Sequence, residues 1–408
     1  MPLIKKLFKF IVYFPVIPAC LLIIIIRPFV LIRFGELVSE RIGHFACVAE
    51  LYLSKKNYQN KKKIIDFFCV QKFVCNNQIY KFIKKKLYII PRQLVKGMLF
   101  WLNFYSKKKS HDIYNCQSEQ ENYNFFHHRD TSNILDKTNK NFFFTTSEIT
   151  LCKNFFKKKI NLNLPIVVFF IRDNSFFQKN LKFYNSNNLM LKNPELKNYK
   201  DSIKYLLKNG YTVVRIGKDT KRIMKINNRN FYDLSKCKKR TDLYEAYIAS
   251  KCKFIFGSNS GALYAYAYLF RKPCFVSNYI PYGLIHSYSK LFYYNFKKFL
   301  LKKNKKILTL SEIFNNGLGF NEGTAFVKSK KVEVLDQNSD EILNSLKDFI
   351  KYINNNFVIS KIEKNLKKKF LKNYLMFCKN DNFFCNIHGE IKCNFGLNYL
   401  KKNKFLYK

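Results

Sequence analysis

Lys253-Phe254-Ile255-Phe256-Gly257-Ser258-Asn259-Ser260-Gly261 decides the fold. Its apolar start reads as a buried strand, Gly257 to Gly261 as a turn in which two glycines let the backbone approach a ligand, and the residues after Gly261 as a helix reaching Phe270. The same alternation extends outward in both directions. Upstream, Pro165 introduces the continuous apolar run Ile166–Ile171, of parallel-strand type, which ends at Arg172-Asp173. A helix from about Tyr199 stops at Asn209-Gly210, Tyr211 to Gly217 is the next strand, and Thr241-Asp242 with Glu245 opens a second helix through a capping box. Downstream, Pro273-Cys274-Phe275-Val276 is a further strand, and Asn338 with Glu341 caps a helix from about Asp340 to Ile353.

Strands alternating with helices in this way predict a doubly wound α/β domain, whose ligands bind at the carboxyl ends of the strands. The residues in that position are Arg172, Asp173, Arg215, Gly217, Lys218 and the loop Gly257, Ser258, Asn259, Ser260 and Gly261. A helix starting at Ser260-Gly261 offers free N–H groups and a positive dipole end to an anionic oxygen. Arg172, Arg215 and Lys218 on the same edge would complete a pyrophosphate site, Arg through bidentate hydrogen bonds and Lys as a point charge. The spacing is neither a Walker A loop nor GxGxxG. No Asp-x-Asp pair occurs, so a divalent metal has few candidate ligands and the chemistry is expected to be metal-independent, with no cofactor beyond a donor substrate.

The first half begins with a strand at Phe29–Phe34, a turn at Gly35 and a helix from Glu36 to Leu53. A second strand follows at Ile64–Val70, Lys81 to Asn103 reads as mostly helical, and 105–159 decays into Asn-rich, irregular sequence. Ser39-Glu40-Arg41-Ile42-Gly43-His44 places an acid, a cation and an imidazole near the first strand's carboxyl end. A hydroxyl acceptor attacking a sugar carbon needs a base, and Glu40 or His44 could serve, with Glu36 an outside possibility.

Phe10–Ile26 is a 17-residue stretch without charge, preceded by Lys5, Lys6 and Lys9 and closed by Arg27-Pro28. It is at the short end for a membrane span and contains Pro15 and Pro18, so a monotopic or re-entrant anchor competes with a single transmembrane helix. The 408 residues carry 74 Lys+Arg against 27 Asp+Glu, a net +47, with 48% hydrophobic and 17% aromatic content. That load excludes a disordered or collagen-like chain. Only 11 of the cations are Arg, and the lysines are dispersed through every segment, which sets nucleic acid aside and favours an anionic membrane surface or an anionic ligand. Twelve scattered cysteines fit reduced thiols rather than a secreted disulfide framework.

Arg41-Ile42-Gly43-His44 after a membrane-proximal segment, Arg172-Asp173 after a buried strand, Gly210-Tyr211 through Val213-Val214-Arg215-Ile216-Gly217, and Ala249 through Cys252 to Gly257, Ser260-Gly261 and Lys272-Pro273 together resemble a bacterial family of glycosyltransferases associated with surface-polysaccharide gene clusters. The likeness covers roughly residues 28–350 and extends to heptosyltransferases and fucosyltransferases of the same fold. It implies an α/β fold of two Rossmann-like domains of GT-B type around a cleft, the C-terminal one holding a nucleotide-sugar. Lys192 stands where such a family carries Arg.

The expected organisation is a hydrophobic membrane anchor at 1–28, an acceptor-side domain with an irregular linker at 29–160, a nucleotide-sugar-binding domain at 161–353 and a Lys-rich tail at 354–408. The expected activity moves a sugar from a nucleotide-sugar to a lipid-linked or surface-glycan acceptor on the cytoplasmic face of the inner membrane, with residues 8–28 as the attachment. A nucleotide-sugar epimerase of the same fold is the rival within enzymes, and a basic membrane-surface or nucleic-acid binding protein the rival outside them.

Overall fold

A computed structural model describes residues 12–59, 63–105, 110–114, 119–181, 190–354, 360–380 and 386–407. The chain begins with α1 (Ile17–Ile26), β1 (Leu31–Leu37), α2 (Ile42–Gln59), β2 (Ile64–Val70), α3 (Asn77–Lys84), β3 (Tyr88–Ile89) and α4 (Arg92–Tyr105). The three strands form a small parallel sheet in the order β1-β2-β3. Gly35, expected as a turn, lies inside β1 opposite Phe68. A Cβ there would come within 3.1 Å of the Ile113 side chain, so glycine admits the neighbouring segment rather than bending the strand. The helix expected from Glu36, α2, accordingly starts at Ile42.

The segment expected to be irregular contains α5 (Glu119–Phe126) and α6 (Thr146–Phe156), the latter opened by a capping box between Thr145 and Glu148. Then follow β4 (Ile166–Phe170), α7 (Lys200–Lys208), β5 (Thr212–Arg215), β6 (Phe231–Asp233), α8 (Asp242–Lys251), β7 (Phe254–Ser258), α9 (Gly261–Phe270), β8 (Cys274–Tyr279) and β9 (Phe292–Phe296). A small antiparallel sheet of β10 (Lys298–Leu301), β11 (Lys306–Ile307) and β12 (Val332–Leu335) precedes α10 (Ser339–Ile353), α11 (Lys361–Lys379) and β13 (Asn394–Phe395). Among the described residues the main sheet has seven strands, all parallel, in the order β13-β9-β8-β7-β4-β5-β6.

Both faces of that sheet are covered, which is why its strands read as unbroken apolar runs. Val167, Phe169, Phe254 and Phe256 pack under α7 and α10 with Ile203, Leu206, Ile342 and Leu346. Ile166, Val168, Ile255 and Val276 face the other layer, where Leu263, Tyr266 and Leu269 of α9 meet Phe45, Val48 and Tyr52 of α2. That second core runs without interruption from one half of the molecule into the other, so the small sheet is welded to the large one by helix packing.

The segment expected as a Lys-rich tail is folded onto the main sheet. Phe370, Tyr374 and Cys378 of α11 are buried, and β13 adds an edge strand beside β9. The apolar N-terminal segment yields α1, only ten residues or about 15 Å long, against roughly 30 Å of bilayer hydrocarbon. Among the described residues no helix is long and apolar enough to cross a membrane; residues 1–11 lie outside them. One side of α1 is buried on α4 through Cys20, Ile23, Val95, Trp101 and Leu102, and the Trp101 indole donates to the Tyr13 carbonyl at 2.8 Å. The outer side leaves Phe14, Leu21, Leu22, Ile25 and Phe29 exposed beside Leu94 and Phe104.

Candidate active site

A cavity of about 360 Å³ opens between the two halves, at the carboxyl ends of the main sheet's strands. Its geometry starts from a glycine pair. A Cβ on Gly43 would lie 2.8 Å from the Gly261 Cα, and one on Gly261 3.0 Å from the Gly43 nitrogen. Only glycine at both positions allows α2 and α9 to touch backbone to backbone. Arg41, Ile42 and Gly43 from the start of α2, and Asn259, Ser260 and Gly261 from the start of α9, all line the cavity. Two helix N-termini, each with its positive dipole end, therefore converge on one space.

The main sheet supplies a wall. Gly257 lets β7 pass against β4, since a Cβ there would overlap the Phe170 carbonyl at 1.7 Å. Ser258 accepts the Arg172 backbone N–H at 2.9 Å, tying the ends of the two strands together. Arg172 lines the cavity with its guanidinium stacked 5.2 Å from the Phe177 ring. Lys218 also lines it and donates to the Cys75 carbonyl at 2.9 Å. Ser260 caps α9 by accepting from the Ala262 N–H, and Asn259 is fixed by donation to the Ile280 carbonyl at 2.6 Å.

Not every residue expected at the site is there. Arg215 is only 1% exposed, does not line the cavity, and donates to Asp233 at 2.9 Å and to the Arg222 carbonyl at 2.8 Å. Arg215 and Asp233 are register partners on β5 and β6, so this cation serves a cross-strand pair. Gly257 and Ser258 shape the loop from behind it rather than from inside the cavity. Asp173 lines the cavity but is occupied, accepting from Ser175 N–H at 3.0 Å and from the Thr220 hydroxyl. Burial pushes its carboxyl up, and those hydrogen bonds outweigh it and hold it below the usual carboxylate range. Glu245 does not close the expected capping box. Thr241 caps α8 alone through Tyr244, while Glu245 turns inward to accept from Gly217 N–H and Arg240, each at 2.8 Å.

The two base candidates separate. His44 lines the cavity, with Nδ1 3.2 Å from the Phe126 carbonyl. Glu40 does not line it, and Glu36 is ion-paired with Arg92 at 2.8 Å. Burial, then the Arg41 charge, holds the His44 imidazole well below its ordinary pKa, so it is neutral near pH 7.

The remaining wall comes from the segment read as irregular. His127, His128 and Arg129 come directly after α5 and line the cavity with Tyr123, and His286 faces them from the second half. The His44 ring lies 5.6 Å from His127 and 5.3 Å from His128, and His128 stacks on His286 at 4.7 Å. Burial depresses His127 to about 4 and His286 well below its ordinary value. Lys192 and Glu322 form an ion pair in the cavity lining; burial lowers the lysine and Glu322 opposes that. The run His127-His128-Arg129 was the available sequence signal for this wall, three ionisable residues in a stretch otherwise rich in Asn. Among the described residues no group of three or more His, Cys, Asp or Glu is placed to hold a metal ion.

No protein-family model matches the chain, and no curated protein matches it. Among solved structures it is similar to the Escherichia coli ADP-heptose LPS heptosyltransferase II, at 12% identity and TM-score 0.39 over 61% of this chain and 86% of that one. It is also similar to a family 9 glycosyl transferase from Veillonella parvula, at 9% identity and TM-score 0.36 over 61% and 80%. A third likeness is to an E. coli heptosyltransferase with ADP-2-deoxy-2-fluoro heptose, at 10% identity and TM-score 0.34 over 65% and 93%.

Proposed function

We propose that the protein is a glycosyltransferase of GT-B type that takes a nucleotide-sugar as donor. The observation carrying this reading is the junction of two helix N-termini at Gly43 and Gly261, beside Arg172 and Lys218, in a cavity between two α/β halves. Such a junction suits a diphosphate, whose charge grows as the sugar departs. Helix-end N–H groups, Arg172 and Lys218 would offset that growing charge, and they need no reorganisation to do so. His44, neutral and inside the cavity, is the group to accept the acceptor hydroxyl's proton. The acceptor enters from the side of His44, His127 and Tyr123, and is a lipid-linked or surface glycan.

In this reading the exposed face of α1 and α4 seats the enzyme in one leaflet of an anionic membrane on its cytoplasmic side. Phe14, Leu22, Ile25, Phe29 and Phe104 would enter the acyl boundary, with the chain's cationic excess facing the headgroups. The test is a panel of nucleotide-sugars, read first as thermal stabilisation of the full chain and then as nucleoside diphosphate release with lipid extract as acceptor. One donor should raise the melting temperature and turn over only when acceptor is present. If no nucleotide-sugar stabilises the protein, the reading fails.

A further inference from the structure

We propose that Arg129 anchors a second oxyanion subsite in the cavity, for a phosphate or carboxylate group that is not the donor diphosphate. The proposal rests on the glycosyltransferase reading only for what the other anion is; the grounds for the subsite are independent of it.

Arg129 is 4% exposed and lines the cavity. Its Nη1 donates to the Ile285 carbonyl at 2.7 Å and the guanidinium is also hydrogen-bonded to the Tyr123 side chain, while its buried Nε has no hydrogen-bond acceptor among the described residues. Among the described residues no carboxylate lies within 4.0 Å of it, whereas Arg215, Arg240 and Arg271 sit on Asp233, Glu245 and Glu50. The nearby acids are taken up elsewhere. Asp130 accepts from the Ile134 and Leu135 backbone N–H groups, each at 2.8 Å, and Glu322 pairs with Lys192. A guanidinium held away from water without a counter-charge is costly, and proteins retain such groups where a ligand supplies the missing anion.

The surroundings present Arg129 rather than merely tolerate it. His128, one residue before, holds a left-handed backbone (φ 47°), which a non-glycine residue adopts at a cost. Its carbonyl accepts the Tyr268 and Tyr288 hydroxyls at 3.1 and 2.8 Å, and its own buried Nδ1 has no partner among the described residues. The segment is thus clamped in a strained form, with one guanidinium N–H and one imidazole nitrogen unused among the described residues. It belongs to the first half of the molecule, across the cavity from the strand ends that carry Arg172 and Lys218. The anion is either borne by the acceptor or is a carboxylate on the donor sugar.

The test saturates the full chain with nucleoside diphosphate and titrates inorganic phosphate by thermal shift. A further, saturable rise in melting temperature is expected. Arg129→Gln should weaken phosphate at least tenfold and leave the nucleoside diphosphate affinity within twofold. Arg129→Lys, which keeps the charge but loses the planar fork, should fall between the two and guards against a variant that fails to fold. No phosphate effect on the wild-type protein, or one that survives Arg129→Gln undiminished, overturns the proposal. If nucleoside diphosphate does not bind at all, the donor reading fails, and phosphate titration of the ligand-free protein still decides Arg129. Competition of phosphate with UDP-glucuronate but not with UDP-glucose supports the donor sugar as the source; additivity with both supports the acceptor.

Discussion

Gly43→Ala is the sharpest perturbation the structure offers. The new Cβ would lie 2.8 Å from the Gly261 Cα and 3.3 Å from its carbonyl oxygen, and both are backbone atoms that no rotamer change can move. A relaxed carbon–carbon contact is about 3.5 Å or more, so α2 and α9 must separate by about 0.7 Å. Overpacking of this kind costs about 1–3 kcal/mol, and helix propensity returns up to about 1 kcal/mol when Gly becomes Ala, leaving a net loss of about 0–3 kcal/mol. A domain with ordinary stability stays folded after such a loss. Under the proposed function catalysis is far less forgiving, because both helix starts line the cavity and a misplacement near 1 Å costs on the order of 10²-fold in rate. The assay pairs urea denaturation with steady-state transfer kinetics. Activity should fall much more than stability; turnover within threefold of wild type would refute the claim that the glycine junction sets the site.

The same geometry carries the other expectations. Arg172→Gln should weaken nucleoside diphosphate binding about tenfold or more in calorimetry, while Arg215→Gln should lower the melting temperature and leave that affinity unchanged; the reverse pattern would reinstate Arg215 at the site. The buried imidazoles set a pH dependence. His127 is depressed to about 4 and His44, His128 and His286 lie well below 6.5, so below about pH 6.5 the unfolded chain binds more protons and stability falls toward pH 4. His127→Asn should flatten part of that slope in calorimetric scans, and an unchanged slope would mean that the ring is protonated in the fold. Leu22→Glu with Ile25→Glu should abolish co-sedimentation with anionic vesicles and spare nucleotide binding. Retained sedimentation would show that the exposed α1 face is not the seat.

The second half was legible because burial on both faces left its strands as uninterrupted apolar runs. Ile166–Phe170, Thr212–Arg215, Phe254–Ser258 and Cys274–Tyr279 sit close to where the pattern puts them. Arg172 and Ser260 could be placed from strand ends alone. Arg215 misled because its partner strand, Phe231–Asp233, is three residues long and carries no periodic signal, so nothing in the sequence disclosed the cross-strand pair that consumes it. Glu40 and His44 could not be told apart by spacing, since only the close approach of α2 to α9 decides which of them faces the cavity. The wall formed by His127 to Arg129 was hidden for a related reason. It is held by tertiary bonds to Ile285, Tyr268 and Tyr288, and local pattern does not report those.

The folded C-terminal segment bears on how the chain comes to act during synthesis. Asn386 accepts from Asn124 at 3.2 Å, Glu390 accepts from Asn133 at 3.2 Å, and Gly389 lies so close to Thr131 that a Cβ would meet its carbonyl at 2.1 Å. These contacts bracket the wall that carries His127, His128 and Arg129. A nascent chain folds from its N-terminus as it is made, at roughly 5–20 residues per second, so the strand ends at Arg172 and Ser260 are synthesised before the residues that support that wall. Support for a wall that is made early thus waits on residues 262 and 257 positions further along the chain.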